Sequence, residues 1–363
     1  MANSSLDKAR KDINEIDRQM AELFVRRMHA AEAVAEYKKE RGLAILDEAR
    51  EEEVIRRNSA LVEDEVIREY YVNFLRNNMA VSRAYQSRLM EGMKVAYSGT
   101  EGAFAHIATL KLYPTAKKIA FGDFASAYRA VEKGDCDIAV LPVENSYNGE
   151  VGQVTDLMFS GSLYVNGMFD LPITQDLLAK PGVTIDEIKE VVSHPQALGQ
   201  CAEYINRHGY TRHEFANTAL AAKWVKENAD RSVAAIASRE AAEIFGLQVI
   251  DHDINESKSN STRFAIFSKV ANKRIAGDSG VHSVLLFTVR NEAGALAKAI
   301  DVIGQYGFNM RTLRSRPMKE LLWQYYFYVE VEGNVQSEEG SSLMESLGEF
   351  CDKLKFAGTY IKL

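Results

Sequence analysis

The residues most able to do chemistry in the first third of this chain are cations placed where a helical pattern calls for apolar side chains. Arg27 falls among the apolar residues that recur every three or four positions between Leu6 and Tyr37. A buried guanidinium is costly unless an anion meets it. Lys38 follows after about three helical turns and points the same way, whereas Arg10 is rotated by roughly a quarter turn. These cations indicate a site for a small anion inside a helical bundle.

Two further helical stretches add polar groups to the same interior. Asp47, Arg50 and Glu51 share one face of the second stretch, and Ser82 and Gln86 lie one turn apart on the third. The alternative is a solvated dimeric coiled coil whose edge charges form ion pairs between helices. Several charges facing inward at once favour a ligand site over that alternative.

A second set of polar residues follows predicted strands in the middle of the chain. A glycine turn containing Thr100 opens a helix and presents backbone N–H groups to an anion, but it lacks the complete dinucleotide fingerprint. Glu144, Asn145 and Ser146 end another strand at the edge where open α/β sheets bind ligands.

Two more segments complete this set. Ser193 and His194 precede a helix that we expect to start at Pro195, and Gln200 lies within that helix. Thr262 and Arg263 lead into the last strand of the segment.

The elements that must position these residues fall into three parts. Residues 1–91 contain no proline and only one glycine, Gly42, and predict one long, one short and one intermediate helix. Residues 93–270 alternate short apolar strands with helices, which predicts an α/β domain around a mostly parallel sheet. After a polar linker at 271–280, residues 281–363 read as strand, helix, strand, strand, helix and strand, a ferredoxin-like order.

Composition narrows the class of protein. Of the 363 residues, 46% are hydrophobic and 26% charged, as in ordinary globular proteins, and the net charge of −7 argues against a general nucleic-acid binder. We expect neither a secretory signal nor a membrane span. Three distant cysteines form no metal-spaced cluster, which favours thiols in a reducing cytoplasm and no metal site.

The first part resembles the all-helical chorismate mutases. Their rearrangement of chorismate to prephenate needs a dicarboxylate held in a compact conformer and charge stabilised at the ether oxygen. The resemblance implies carboxylate contacts from arginines helped by a serine, ether-oxygen contacts from a lysine and a glutamine, and a ring-hydroxyl contact from a glutamate beside an aspartate. In that order, these residues are Arg10, Arg27, Arg50 and Ser82, then Lys38 and Gln86, then Glu51 and Asp47. It also implies an intertwined dimer in which Arg10 reaches the partner's site.

The middle part resembles prephenate dehydratase, a fold of two α/β lobes similar to periplasmic binding proteins. The match consists of the glycine turn, Pro-Val-Glu-Asn-Ser ending at Ser146, Ser-His-Pro-Gln starting at Ser193, and Thr-Arg-Phe starting at Thr262, with a weaker match at Asn217 and Thr218. The resemblance implies that Thr262 acts at the departing hydroxyl of prephenate. A threonine is a poor acid, so a partner is needed, and both Glu144 and His194 stay open as that partner. Arg263 could bind a carboxylate or form a structural ion pair. The other substrate contacts that we expect come from Thr100, Asn145, Ser146, Ser193 and Gln200.

The last part resembles the ACT domain of phenylalanine-regulated dehydratases. Gly294, Ala295 and Leu296 match its Gly-Ala-Leu motif, and Ser315, Arg316 and Pro317 match most of its Glu-Ser-Arg-Pro motif; we take these six as effector-binding candidates. Arg314 stands where that family has an acidic residue, so the charge there is reversed.

Together these features predict a cytoplasmic, cofactor-free bifunctional enzyme of phenylalanine biosynthesis, a homodimer or homotetramer that phenylalanine inhibits. Two alternatives remain. One is an enzyme with a single active site, acting on prephenate or arogenate. The other is a non-catalytic amino-acid sensor with a helical dimerisation arm.

Overall fold

The computed structural model describes residues 2–257, 259–272, 280–318 and 324–363, with side chains from residue 5 onward. Most of the predicted linker, residues 273–279, lies outside the described part. The chain forms two compact units, which divide between Lys94 and Val95. In the described residues, no helix combines the length and the apolar character that crossing a membrane requires.

The first unit contains the long, short and intermediate helices that the sequence predicts. They are α1 (Ala2–Arg41), α2 (Glu48–Ser59) and α3 (Glu65–Glu91). Gly42 follows α1 with φ +62°, a left-handed conformation that favours glycine. Asp47 and Asp64 cap α2 and α3, and each accepts a hydrogen bond from a first-turn backbone N–H.

Small and apolar residues hold α1 against α3. Ala31 and Ala35 are buried on α1, and Leu75 and Met79 on α3. The apolar residues predicted to form the inner seam of α1, from Leu6 onward, are instead exposed. The helix turns its alanine face to α3, because alanines allow close approach of two helices, and this leaves the larger apolar residues on the outside.

The second unit begins with an α/β region of two lobes. Its strands are β1 (Lys94–Ser98), β2 (Lys117–Phe121), β3 (Ile138–Asn145), β4 (Gly149–Glu150), β5 (Tyr164–Pro172), β6 (Asp176–Ala179), β7 (Glu190–Ser193), β8 (Thr211–Glu214), β9 (Val233–Ala237), β10 (Gln248–Asp251) and β11 (Ser261–Ser268). Its α-helices are α4 (Phe104–Leu112), α5 (Phe124–Lys133), α6 (Gly152–Ser160), α7 (Pro195–Gln200), α8 (Ala202–His208), α9 (Thr218–Asn228) and α10 (Arg239–Phe245). A 3₁₀ turn covers Ile185–Glu187.

Each lobe has its own sheet. The first lobe has the order β2-β1-β3-β11-β5, with β4 beside β3, and the second has β10-β6-β9-β7-β8. The expectation of a mostly parallel sheet is wrong. In the first lobe β11 runs antiparallel to both β3 and β5, and in the second lobe β6 runs antiparallel to both β10 and β9. The chain returns from the second lobe as β11, so the first sheet contains a strand from each end of the region. This return brings Thr262 beside Asn145.

The C-terminal region has the predicted ferredoxin-like order. Its elements are β12 (Val281–Val289), α11 (Ala295–Gln305), β13 (Met310–Pro317), β14 (Tyr325–Glu332), α12 (Glu338–Phe350) and β15 (Cys351–Ile361). The antiparallel sheet has the order β13-β14-β12-β15, with α11 and α12 covering one face.

The other face of this sheet packs on the first α/β lobe. Val284 and Leu286 belong to the same buried cluster as Met158 and Val165 of that lobe. Phe159 stacks on Tyr326 with 4.2 Å between ring centroids. Residues 95–363 therefore fold around shared apolar contacts.

Candidate active sites

Arg27 is a half-buried cation that points from α1 towards α3. Its Nη1 donates to the Asn78 carbonyl oxygen at 3.3 Å and to Ser82 Oγ. No carboxylate of the described residues pairs with it, and burial lowers the pKa of Arg27. The guanidinium therefore has donors and charge available for an anionic ligand.

Two buried amide oxygens lie on the face of α3 that carries Ser82. Asn78 Oδ1 and Gln86 Oε1 have no hydrogen-bond partner, and Ser82 and Gln86 are both buried. An unpaired buried polar atom is costly, which points to a bound polar molecule at this face. Lys38 on α1 is half-buried, and its Nζ donates to the Ile45 carbonyl oxygen.

The other predicted residues of this unit lie outside that interior. Asp47 is exposed as the cap of α2, and its Oδ1 accepts from Arg50 N at 3.0 Å. Arg50 pairs with Glu53 at 2.6 Å and is also exposed, so the expectation that it faces inward is wrong for the single chain. Glu51 pairs with Arg83, a residue that the sequence analysis did not single out.

Arg10 is exposed, and its distance along α1 separates it from this group. It precedes Arg27 by roughly 25 Å at about 1.5 Å per residue. It cannot share a site with Arg27 of the same chain, so its predicted role at a partner's site stays a prediction.

The α/β region encloses a cavity of about 360 Å³ between its lobes. Of the predicted catalytic and substrate-binding residues, four line it: Asn145 and Thr262 from the first lobe, and His194 and Gln200 from the second. Asn217 and Thr218, the weaker motif match, line it as well. Among the lining residues there is neither lysine nor arginine. An anionic substrate would therefore rely on neutral donors and backbone N–H groups.

Thr262 lines the cavity, and its hydroxyl oxygen already accepts a hydrogen bond. Asn145 Nδ2 donates to Thr262 Oγ1 at 2.9 Å, and the two residues are cross-strand partners on β3 and β11. Asn145 is itself fixed, because its Oδ1 accepts from Tyr147 N and Asn148 N, both at 3.0 Å. The Thr262 proton is therefore free to point towards a ligand.

Two helix starts lie at the same cavity. Ala103 and Val151 directly precede α4 and α6, and Phe104 is the first residue of α4. Because Ala103 and Val151 donate to the Thr100 and Val143 carbonyl oxygens, the remaining donors are those of the first helical turns. Neither helix has a side chain that caps it. Uncapped helix starts carry unsatisfied donors and a partial positive charge, which suits carboxylates.

The second lobe contributes several polar side chains, among them His194, Gln200 and Gln175. His194 Nδ1 accepts from Gln196 N at 3.3 Å, which leaves Nε2 as the N–H donor of the neutral ring. Gln200 Nε2 and Gln175 Oε1 are buried without a partner. Gln175 was not predicted; it lies between Thr174 and Asp176, so no local pattern singles it out.

Glu144 and Arg263 lie on the far side of the first sheet. Side chains alternate along a strand, so the neighbours of Asn145 and Thr262 point away from the cavity. Glu144 pairs with Arg314, and Arg263 Nε pairs with Asp170 Oδ1 at 2.9 Å. The expectation of Glu144 as proton donor to Thr262 is wrong for this reason, and the structural alternative for Arg263 is correct.

Three other expected substrate contacts do not line the cavity either. Ser146 Oγ donates to the Ser259 carbonyl oxygen at 3.1 Å and closes a loop. Ser193 is fully buried and donates to the Ile236 carbonyl oxygen. Thr100 lies before α4, where Ala103 and Phe104 reach the cavity instead.

The six effector candidates divide between two elements. Gly294 caps α11 with φ +82°, and Ala295 and Leu296 begin that helix. Ser315 and Pro317 are exposed on the edge strand β13. Arg316 points to the opposite face, where its Nη2 pairs with Asp156 at 3.2 Å. Arg316 is therefore tied to α6 and is not on the same face as Ser315.

Two family models match the chain. Chorismate mutase type II matches residues 9–87, and prephenate dehydratase matches residues 95–272. A bifunctional chorismate mutase/prephenate dehydratase of Neisseria gonorrhoeae is 32% identical over 359 residues, which cover 97% of this chain and 95% of the relative. The chain belongs to the bifunctional chorismate mutase/prephenate dehydratase family.

Membership of this family assigns both reactions to the chain. It is an isomerase that converts chorismate to prephenate and a lyase that converts prephenate to phenylpyruvate, two steps of phenylalanine biosynthesis. No group of three His, Cys, Asp or Glu residues in the described ranges is arranged to hold a metal ion.

Other similar proteins cover the second unit. The arogenate dehydratase/prephenate dehydratase 2 of Arabidopsis thaliana is 32% identical over 278 residues, 74% of this chain and 72% of its own. A solved prephenate dehydratase from Arthrobacter aurescens, in complex with L-Phe, is 25% identical with a TM-score of 0.68, and the match covers 74% of this chain and 90% of that one.

Proposed function

We propose that the two reactions of this family occur at two separate sites, one around Arg27 and one around Thr262. The limits of the domains are part of the proposal: mutase 1–91, dehydratase 93–270, linker 271–280 and ACT domain 281–363. The single observation that carries it is the pairing of Asn145 with Thr262 inside a cavity without lysine or arginine. A hydroxyl held in a fixed direction suits a substrate from which a hydroxyl group departs.

At the mutase site, Arg27 and Ser82 bind a carboxylate of chorismate. Lys38 and Gln86 donate to the ether oxygen, where negative charge grows as its bond to the ring breaks. Gln86 is buried with an unpaired oxygen, and its amide can turn so that the NH₂ group faces the ligand. No proton moves in this reaction, so positioning and charge stabilisation account for the rate.

At the dehydratase site, the Thr262 hydroxyl donates to the ring hydroxyl that departs. His194, whose Nε2 carries the proton of the neutral ring, donates a second hydrogen bond to this departing oxygen from the other lobe. The starts of α4 and α6 bind the pyruvyl carboxylate, which leaves the ring carboxylate poorly solvated and ready to be lost as carbon dioxide.

We infer that phenylalanine inhibits the dehydratase through the C-terminal region, which corresponds to the ACT domain. The solved relative holds L-Phe, and Gly294 provides the left-handed cap that lets a ligand approach the start of α11. Ser315 and Pro317 are exposed and able to take part in the same site.

A homodimer formed through α1 is the smallest assembly that we propose. Leu6, Ile13, Ile16, Met20 and Leu23 are 44–59% exposed on the outer face of this helix. Such a continuous apolar stripe is costly in water and needs a second surface. A partner's α1 would bring its Arg10 to this chain's mutase site.

A cytoplasmic location completes the proposal. Burial raises the pKa of the Cys201 thiol to about 12, so this cysteine stays protonated and unreactive. A chain with such thiols suits a reducing compartment.

The experiment that tests the proposal follows one incubation over time. Purified protein receives chorismate, and prephenate and phenylpyruvate are quantified with and without phenylalanine. We expect prephenate first, phenylpyruvate second, and less phenylpyruvate when phenylalanine is present. A parallel incubation with arogenate separates the two substrate preferences, and formation of neither product would leave only the sensor alternative.

A further inference from the structure

Five charged residues alternate in sign behind the active face of the first sheet. In order they are Arg314, Glu144, Arg263, Asp170 and Lys362, which we call the charge row. Arg314 pairs with Glu144, Arg263 lies 3.8 Å from Glu144 and 2.9 Å from Asp170, and Lys362 lies 2.6 Å from Asp170.

The middle of the charge row crosses three strands in register. Arg263 on β11 is the cross-strand partner of Glu144 on β3 and of Asp170 on β5. Both ends come from the C-terminal region, Arg314 from β13 and Lys362 from the residues after β15. The row therefore links the C-terminal region to the catalytic strands at two points.

The row is one residue away from the catalytic pair. Glu144 directly precedes Asn145, and Arg263 directly follows Thr262. Because neighbouring side chains on a strand share a rigid backbone, a shift of Glu144 on one face moves Asn145 on the other. Asn145 in turn sets the direction of the Thr262 hydroxyl.

Arg314 is the member of the row on which Glu144 depends most. The guanidinium touches Glu144 directly, whereas Arg263 lies farther from it and is already engaged by Asp170. All three side chains are about one quarter to one third exposed, so water screens their charges only in part. A carboxylate at position 314 would instead repel Glu144.

We propose that Arg314 is a positioning residue for the dehydratase, acting through Glu144 and Asn145 on the Thr262 hydroxyl. The inference rests on the proposed role of Thr262. It gives the reversed charge at position 314 a function: the edge strand β13, which carries the effector candidate Ser315, is fastened to the strand that orients the catalytic pair.

The test uses steady-state kinetics of the full chain with prephenate. Arg314→Ala is expected to lower the dehydratase kcat about fivefold, with KM changed less than about twofold, because coupling through neighbours is modest. Arg314→Lys is expected to recover most of the loss, since it keeps the charge. The mutase rate of each sample reports on the amount of enzyme, and circular dichroism reports on its fold.

A double variant distinguishes action through Glu144 from general loosening of the fold. Glu144→Gln and Arg314→Ala combined should reduce kcat no more than the stronger single change. Lys362→Ala is the matched control at the far end of the charge row. In this variant Asp170 still pairs with Arg263, so kcat should stay within about twofold of the wild type.

Three results would overturn the inference. They are an unchanged kcat for Arg314→Ala, effects that multiply in the double variant, and a loss that Arg314→Lys does not recover. If the unmodified chain turned over no prephenate, the proposed function would fall and the inference with it. An active wild type with an indifferent Arg314 would remove the inference alone.

Discussion

Asn145 Nδ2 lies 2.9 Å from Thr262 Oγ1, across two strands that are far apart in sequence and adjacent in space. The amide is held by two backbone N–H groups of its own loop. It therefore fixes the hydroxyl instead of rotating with it. The pairing of β3 with β11 therefore sets the direction of the Thr262 hydroxyl proton.

Replacing Thr262 tests that relationship most directly. We expect Thr262→Ala to lower the dehydratase kcat by about 10²–10⁴-fold, the usual contribution of a positioned proton donor, and to leave the mutase rate unchanged. Thr262→Ser is the matched variant, because it keeps the hydroxyl, and it should retain much more activity. Steady-state assays with chorismate and with prephenate measure both rates. Equal losses in the two variants would mean that the hydroxyl is not the reacting group.

Arg27→Ala is expected to reduce the mutase rate by at least about 10²-fold, because a desolvated cation at the ligand is lost. The dehydratase should be unaffected. Arg18→Ala changes another arginine of α1, one that pairs with Glu15 and Glu22 on the exposed side, and it should leave both rates unchanged. A dehydratase rate that falls together with the mutase rate, in a chain that circular dichroism finds folded, would count against separate sites.

Gln200→Leu is expected to raise the KM for prephenate about tenfold and to change kcat less. The buried Nε2 donor has no protein partner, so its hydrogen bond goes to the substrate. Gln305→Leu is the control, since this exposed glutamine bonds only to Asp301. An unchanged KM in Gln200→Leu would assign the side chain to a structural water.

Asp170 should give the fold an acid-sensitive contribution. Burial raises its pKa, but hydrogen bonds from Arg263 and Lys362 outweigh burial and hold the pKa below its usual value. A lowered carboxyl pKa stabilises the native state above the unfolded pKa, and this stabilisation is lost as the pH falls through the native pKa. Asp170→Asn should therefore be less stable than wild type near pH 7, and the difference should shrink below about pH 4.

Urea unfolding of both proteins across pH measures the effect on Asp170. Asp352→Asn is the control, because the Asp352 carboxylate is exposed and lies 4.0 Å from Arg290. We expect little pH-dependent difference in the stability of this variant, since exposed ion pairs contribute little. A constant gap between wild type and Asp170→Asn at all pH values would contradict the argument.

The order of elements was predictable because it depends on local pattern. Gly42, the proline at 195 and the first strand predicted after the linker each mark an element that the structure contains. The direction of β11 was not predictable in the same way. It is decided by the chain's return from the second lobe, a long-range event that leaves no trace in the strand's own residues.

The candidate site residues show the same difference between local pattern and long-range pairing. The Thr262 segment could be singled out from its motif, but which face Glu144 would take depended on its register with Arg263. The outward position of Arg50 has a local cause instead, because Glu53 lies one turn away and pairs with it on the surface. Gln175 and Asn78 were missed because each has polar neighbours in the sequence, so neither stands out from its segment.

The core that β12 and β14 share with the first lobe has a consequence for protein engineering. Cutting the chain after β11 would expose apolar residues of the first lobe to water. Val284, Leu286 and Tyr326 would no longer cover Met158 and Phe159. The C-terminal region is thus a structural part of the folded dehydratase. A minimal dehydratase cassette should start near residue 95 and run to the end of β15.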